Sequence, residues 1–215
     1  SIEKVYSSLL RLASGLKSIS VDKIIRSIVP QLYDGITTAD LEDVIILSIV
    51  PHVEEDPEYS KLAARVLLQK LSKNVIGASY DENKRDALYK KSFIDAIFAG
   101  VGAGHFDQRL LEFDLEFLAR ELVTERDNKF EHTGVQILAD KYLRKVNKRY
   151  IELPQTFWMR VAMGLALQEE HKNERALQFY NQLSTFRSTS STPTLLHSGL
   201  TRPQLSSCYL TTVAD

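Results

Sequence analysis

The chain has 215 residues, of which 44% are hydrophobic, and carries 27 lysines and arginines against 28 aspartates and glutamates. That length and apolar content can bury a sizeable core in one large or two small domains. The near-neutral balance excludes the overall basicity that concentrates a protein on nucleic acid or an anionic membrane.

Apolar residues at Ile2, Val5, Tyr6, Leu9, Ala13 and Leu16 follow helical spacing and predict a first helix over 2–16, with Gly15 near its end. Val21, Ile24, Ile25, Ile28 and Leu32 mark the second, bent or ended by Pro30. "YDGITTAD" predicts a turn with Thr38 as N-cap, and Asp40, Glu42 and Asp43 favour the start of a third helix that runs to about His52. Asp56 and Pro57 then open a fourth, with Tyr59, Leu62, Ala63, Val66 and Leu71 near one face.

The Gly, Ser, Asn and Asp content of "NVIGASYDENK" places a domain boundary near Gly77 to Asn83. Further helices are expected over 85–99, 114–126 and 133–146, followed by a short β-prone "KRYIEL". Pro154 opens a helix with Trp158, Val161, Ala162 and Leu165 on one side, and another carries Ala176, Phe179, Tyr180 and Leu183. From Ser188 the helical pattern stops, and "LSSCYLTTV" has the character of a strand. The chain starts at Ser1 without a methionine and stops at Asp215 inside that pattern, so both ends are expected to be cut.

Few residues suggest chemistry by type alone. The five histidines are scattered, with neither an HExxH spacing nor a cysteine pair, so no metal site is expected. "AGVGAGHFD" lacks the lysine of a phosphate loop and follows a predicted helix, which makes it a helix-ending turn. "KYLRKVNKRY" interleaves basic residues with tyrosines, but Lys141, Arg144 and Lys145 also suit a solvated helix C-terminus, the favoured reading. No apolar run reaches the roughly 20 residues that span a bilayer, and no signal-peptide profile opens the sequence. The single cysteine, Cys208, argues against a disulfide-built secreted module and for the cytoplasm. By residue type alone, Cys208 is either a small buried thiol or a functional one.

"STPTLLHSGLTRPQLSSCYLTTVAD" resembles the stretch that opens the catalytic barrel in the large subunit of class I ribonucleotide reductases, where "TPT", a Gly, "R-x-Q-L-S-S-C" and a closing Asp recur in that order. Upstream, "ELPQTFWMRVAMGLA" is similar to the family's "E-T-P-Q-x-x-W-M-R-V-A" helix, with Leu153 in place of the threonine. "ERALQFYNQLSTFR" is similar to the helix before the barrel, and "KFEHTGVQILADKYL" to a second motif, with His132 replacing a tyrosine. "YDGITTADLEDVII" and "YSKLAARVLLQKL" resemble the helical part of the ATP-cone, without the β-hairpin that begins this regulatory module; Glu42 stands where some members carry a histidine.

The resemblance implies a mainly α chain: a helical cone-like bundle over 1–76, a helical domain over 77–187, and over 188–215 the start of a truncated ten-stranded α/β barrel, ending in its first strand. It implies reduction of ribonucleoside diphosphates to deoxyribonucleotides, with a thiyl radical on another cysteine and a thiol pair as electron donor. Cys208 matches one member of that pair, Ser207 a substrate hydrogen-bonding residue, and Thr192 a contact to the substrate phosphate. Asp215 matches the first residue of the loop that reads the specificity nucleotide, while Lys4, Thr38 and Lys73 match contacts to ATP or dATP in the cone.

The implied partners are the ribonucleoside diphosphate, a small metal-containing subunit that supplies the radical, thioredoxin or glutaredoxin, and a second large subunit forming a homodimer. No cofactor bound directly by this chain, nucleic acid or membrane is expected; ATP, dATP and other deoxynucleoside triphosphates act as effectors. The chain alone is expected to be inactive. Two alternatives are a free-standing helical module that senses ATP and dATP or mediates subunit association, and a helical interaction protein whose "SSC" is incidental.

Overall fold

The structure, a computed structural model, describes residues 2–212. The chain is mainly α, as its periodicity predicts, and its helices gather into two compact units. Residues 1–73 and 127–139 form the first, and residues 74–126 and 140–215 the second.

In the first unit, α1 (Ile2–Leu12), α2 (Val21–Ile28), α3 (Thr38–Ile49) and α4 (Glu58–Ile76) as far as Lys73 place Leu9, Ile24, Ile28, Ile49 and Leu62 out of contact with water. Burying a side chain of this kind contributes roughly 1.5–3 kcal/mol. Helix α1 stops four residues before the predicted end at Leu16. Gly15 takes a left-handed φ of 80°, and the Arg65 guanidinium donates to the carbonyls of Leu12 and Ser14 at 2.6 and 2.8 Å, satisfying groups that the ending helix exposes. The cap of α3 is Thr37 rather than Thr38: its Oγ1 accepts from the Asp40 amide at 3.1 Å, which leaves Thr38 as the first helical residue.

In the second unit, α5 (Arg85–Gly102) ends in the glycine turn as expected, with Gly104 at φ 72°. Of the helix predicted over 114–126, only α6 (Leu115–Arg120) forms, capped by Asp114; the chain then breaks, and the Val123 amide donates to the Tyr180 hydroxyl at 3.0 Å. The helix predicted over 133–146 is divided too. Its α part is α7 (His132–Ile137), in the first unit, and a π-helical turn follows over Leu138–Tyr142.

Lys145, assigned by sequence to a helix end, instead begins a two-stranded hairpin, β1 (Lys145–Val146) and β2 (Arg149–Tyr150), the second strand falling in the segment expected to be β-prone. Asn147 and Lys148, with φ of 50° and 66°, supply the two left-handed residues that a tight hairpin turn requires.

Helix α8 (Pro154–Leu165) is buried on every side from Pro154 to Met163 and packs against α5, α9 (Lys172–Ser184) and α10 (Thr192–His197). A helix buried on every side belongs at the centre of a core, and its polar members Gln155, Thr156 and Arg160 are hydrogen-bonded there. Leu153, fully buried at its N-terminus, has no side-chain oxygen with which to cap it. The Thr156 hydroxyl serves instead, accepting from the Leu153 amide and lying 2.7 Å from the Leu153 carbonyl.

The strand expected over "LSSCYLTTV" is not formed in its described part. Residues 203–212 carry no ladder, and the one bridge nearby joins Leu200 to Phe106. A strand needs a neighbour to satisfy its backbone groups, and the described chain presents none along this segment. The candidate Asp215 lies outside the described residues.

Candidate functional site

The side chains singled out near the C-terminus are organised by α10. Ser191 caps this short helix in extended conformation, Thr192 is its first residue, and Pro193 presets φ for the first turn. Thr192 Oγ1 is exposed and lies 3.3 Å from the Tyr142 hydroxyl. The opposite end of α10 holds the segment that carries the cysteine. Thr194 Oγ1 donates to the Leu205 carbonyl at 3.0 Å, and His197 Nδ1 lies 3.0 Å from the Gln204 carbonyl. The Tyr209 hydroxyl returns to Gln204 Oε1 at 3.1 Å. Gln204 and Leu205, just before "SSC", are thus tied to the helix that begins with Thr192. Cys208 is exposed in this chain, and its Sγ lies 3.8 Å from the hydroxyl of Ser207.

The root of this segment is fixed by a buried ion pair that the sequence alone does not announce. Arg160, on α8, is fully buried; its Nε donates to Glu152 Oε1 at 2.8 Å, its Nη2 to Glu152 Oε2 at 3.2 Å, and its Nη1 to the Ser198 carbonyl at 2.7 Å. The guanidinium also stacks near the rings of Phe106 and Phe157. Ser198 Oγ donates to the Val161 carbonyl at 2.8 Å, and the Asp107 amide donates to the Gly199 carbonyl at 3.0 Å. Gly164 permits this approach: a Cβ there would stand 2.0 Å from the Gly199 amide nitrogen. The sequence signal was an arginine inside the apolar run "FWMRVAMGLA", eight positions after Glu152.

The remaining candidates lie in the first unit, each in its own setting. Lys4 is exposed on α1, in an open groove with Glu3, Ser7, Ser8 and Arg11. Thr38 is exposed at the start of α3. Lys73, on α4, pairs at 2.6 Å with Glu42 of α3, whose carboxylate is buried. A basic side chain already held by a carboxylate is a weaker attractor for phosphate. Near α7, His132 is held by its amide, which donates to Ser60 Oγ at 3.2 Å, while its Nε2 is buried without a hydrogen-bond partner. Burial pushes the pKa of this imidazole down.

Residues 128–203 match the family described as "Ribonucleotide reductase, all-alpha domain". The chain is 41% identical over 185 residues, 86% of its length, to the ribonucleoside-diphosphate reductase subunit alpha of Chlamydia pneumoniae. This chain belongs to the ribonucleotide reductase large-subunit family. The subunit alpha of Helicobacter pylori is 37% identical over 187 residues, and the large subunit of Arabidopsis thaliana 29% identical over 217. The chain covers 18%, 23% and 26% of these three relatives, so it corresponds to about a fifth to a quarter of a reductase large subunit. The family match includes the reductase segment built on Arg160, Glu152 and Ser198, together with all of α10.

Proposed function

We propose that the complete protein to which this chain belongs is a ribonucleoside-diphosphate reductase. In this reading it replaces the ribose 2′-hydroxyl with hydrogen under allosteric nucleotide control. The observation that carries the reading is the relationship to proteins named ribonucleoside-diphosphate reductase along 86–99% of this chain. Support from geometry is the tie of Gln204 and Leu205, just before "SSC", to the helix that Thr192 begins.

Cys208 acts as one of two thiols that together give up two electrons. The substrate is reduced, its 2′-oxygen leaves as water, and the two cysteines become a disulfide. Reopening that disulfide requires thiol–disulfide exchange with a dithiol reductant such as thioredoxin or glutaredoxin.

Ser207 hydrogen-bonds the substrate, and Thr192, at the start of α10, contacts its phosphate through the hydroxyl and backbone donors suited to phosphate oxygens. The second thiol and the radical-bearing cysteine come from elsewhere in the large subunit, because this chain has a single cysteine. The radical itself is supplied by the metal-containing small subunit. Asp215 opens the loop that reads the specificity nucleotide in a homodimer of large subunits. Lys4, Thr38 and Lys73 form the remnant of the ATP or dATP site, with residues 1–76 as a partial cone and 188–215 as the start of the barrel.

The test uses the full-length large subunit with its radical-generating partner. Cys208→Ser is expected to abolish multiple turnover with the physiological reductant while nucleotide binding persists. Undiminished multiple turnover would remove Cys208 from the mechanism. The 215-residue chain alone, supplied with the small subunit and a dithiol, is expected to reduce no diphosphate.

A further inference from the structure

Two arginines in the second unit share one buried carboxylate. Glu152 accepts from Arg160 through both oxygens and from the Arg144 amide at 2.9 Å, and the Arg144 guanidinium donates to the Leu196 carbonyl. Among the described residues no carboxylate forms an ion pair with Arg144, and its Nε is buried without a hydrogen-bond partner. The local balance is therefore one negative charge against two positive ones. Burial, with Arg160 nearby, lowers the pKa of Arg144 from its ordinary value, opposed by Glu152. This is the signature of a cation short of compensation.

Arg144 opens onto a pocket of about 430 Å³ whose lining is completed by Gly104, His105, Leu200, Thr201 and Arg202. His105 and Arg202 are exposed, no acidic residue lines the pocket, and no described carboxylate pairs with Arg202. The walls are held in place by the chain itself: the Thr201 amide donates to the His105 carbonyl at 3.1 Å, and Thr201 Oγ1 to the Gly104 carbonyl at 2.8 Å.

We propose that the pocket formed by Arg144, Arg202 and His105 binds a phosphoryl anion. Planar guanidinium groups offer paired donors matched to phosphate oxygens, and a concave site lined by one sign of charge raises the local concentration of the opposite ion. The site is separate from the proposed substrate contacts at Thr192 and Ser207 and stands on residues outside the dithiol chemistry. A free phosphate and a phosphate carried by a nucleotide share this chemistry, and the experiment separates these sources.

Isotope-labelled full chain is titrated with pyrophosphate, adenosine diphosphate and adenosine at matched low ionic strength, following the amides of Gly104, His105, Thr201 and Arg202. Pyrophosphate and the diphosphate are expected to shift these amides, and adenosine is not. Equal affinities for the first two identify a site for the phosphate alone, whereas tighter binding of the diphosphate identifies a nucleotide site. Arg202→Glu, at an exposed position, should leave the melting temperature unchanged and weaken binding by about tenfold or more, the loss of one charge-assisted contact. Absence of shifts with pyrophosphate, or titrations unaltered by Arg202→Glu, would overturn the proposal.

Discussion

At the scale of single residues, the account rests on charges and hydroxyls whose partners are distant in sequence. Arg160 and Glu152 are both removed from water, so Glu152→Gln would leave Arg160 without its counter-charge; a loss of about 3–5 kcal/mol is expected, read by denaturant unfolding. An unchanged midpoint would show that the pair contributes little. His132 gives a pH-dependent prediction. Its folded pKa lies below the ordinary imidazole value because burial disfavours the charged form. The unfolded chain therefore binds more protons, and stability is full above the unfolded pKa, falling as pH drops from about 6.5 through the folded value. His132→Tyr removes this titration and should flatten thermal stability across that window; an identical pH profile would contradict the assignment. An arginine in the apolar run of α8 was visible in the sequence, but neither its pairing with Glu152 nor the burial of the His132 ring was legible beforehand. Periodicity marks which faces turn inward, but a buried arginine's partner depends on how α8 and the loop before it fold together.

Among the elements, those fixed by local chemistry were the most legible. The four helices of residues 2–76, the cap region before α3, the glycine-broken end of α5 and the proline start of α8 all follow from spacing and terminal residues. Where the reading missed, a longer-range partner decided the outcome. Arg65 helps to end α1 early, Tyr180 holds the break after α6, and the Asn147–Lys148 turn diverts a helical pattern into a hairpin. Thr37→Ala should destabilise α3 by about 1 kcal/mol, since it removes the oxygen that accepts from the Asp40 amide. The same change at Thr38 should have a smaller effect; the reverse order in thermal unfolding would restore Thr38 as the cap. Gly164→Ala should cost at least the roughly 1–3 kcal/mol of an overpacked core, because its Cβ meets backbone at Gly199 rather than a side chain that can move.

For the molecule as a whole, family membership was legible from a few motifs, chiefly those around Thr192 and Cys208, and composition placed a boundary near Gly77 to Asn83, close to the division after Lys73, whereas the place of residues 127–139 was not legible. That division assigns residues 127–139 to the same unit as 1–73, an arrangement set by packing across the sequence and not by any composition shift. The segment over 205–212 has strand character but no ladder, so its amides are expected to exchange rapidly in the isolated chain; strong protection there would contradict this. In the complete protein the same segment carries the thiol on which the proposed function depends. The most direct test is to supply the full-length protein and the proposed radical-generating partner with ribonucleoside diphosphate for one turnover without external reductant and then map its disulfides by mass spectrometry. The account predicts that the Cys208 peptide appears in a new disulfide in proportion to deoxyribonucleotide formed; product formation with Cys208 still a free thiol would contradict it.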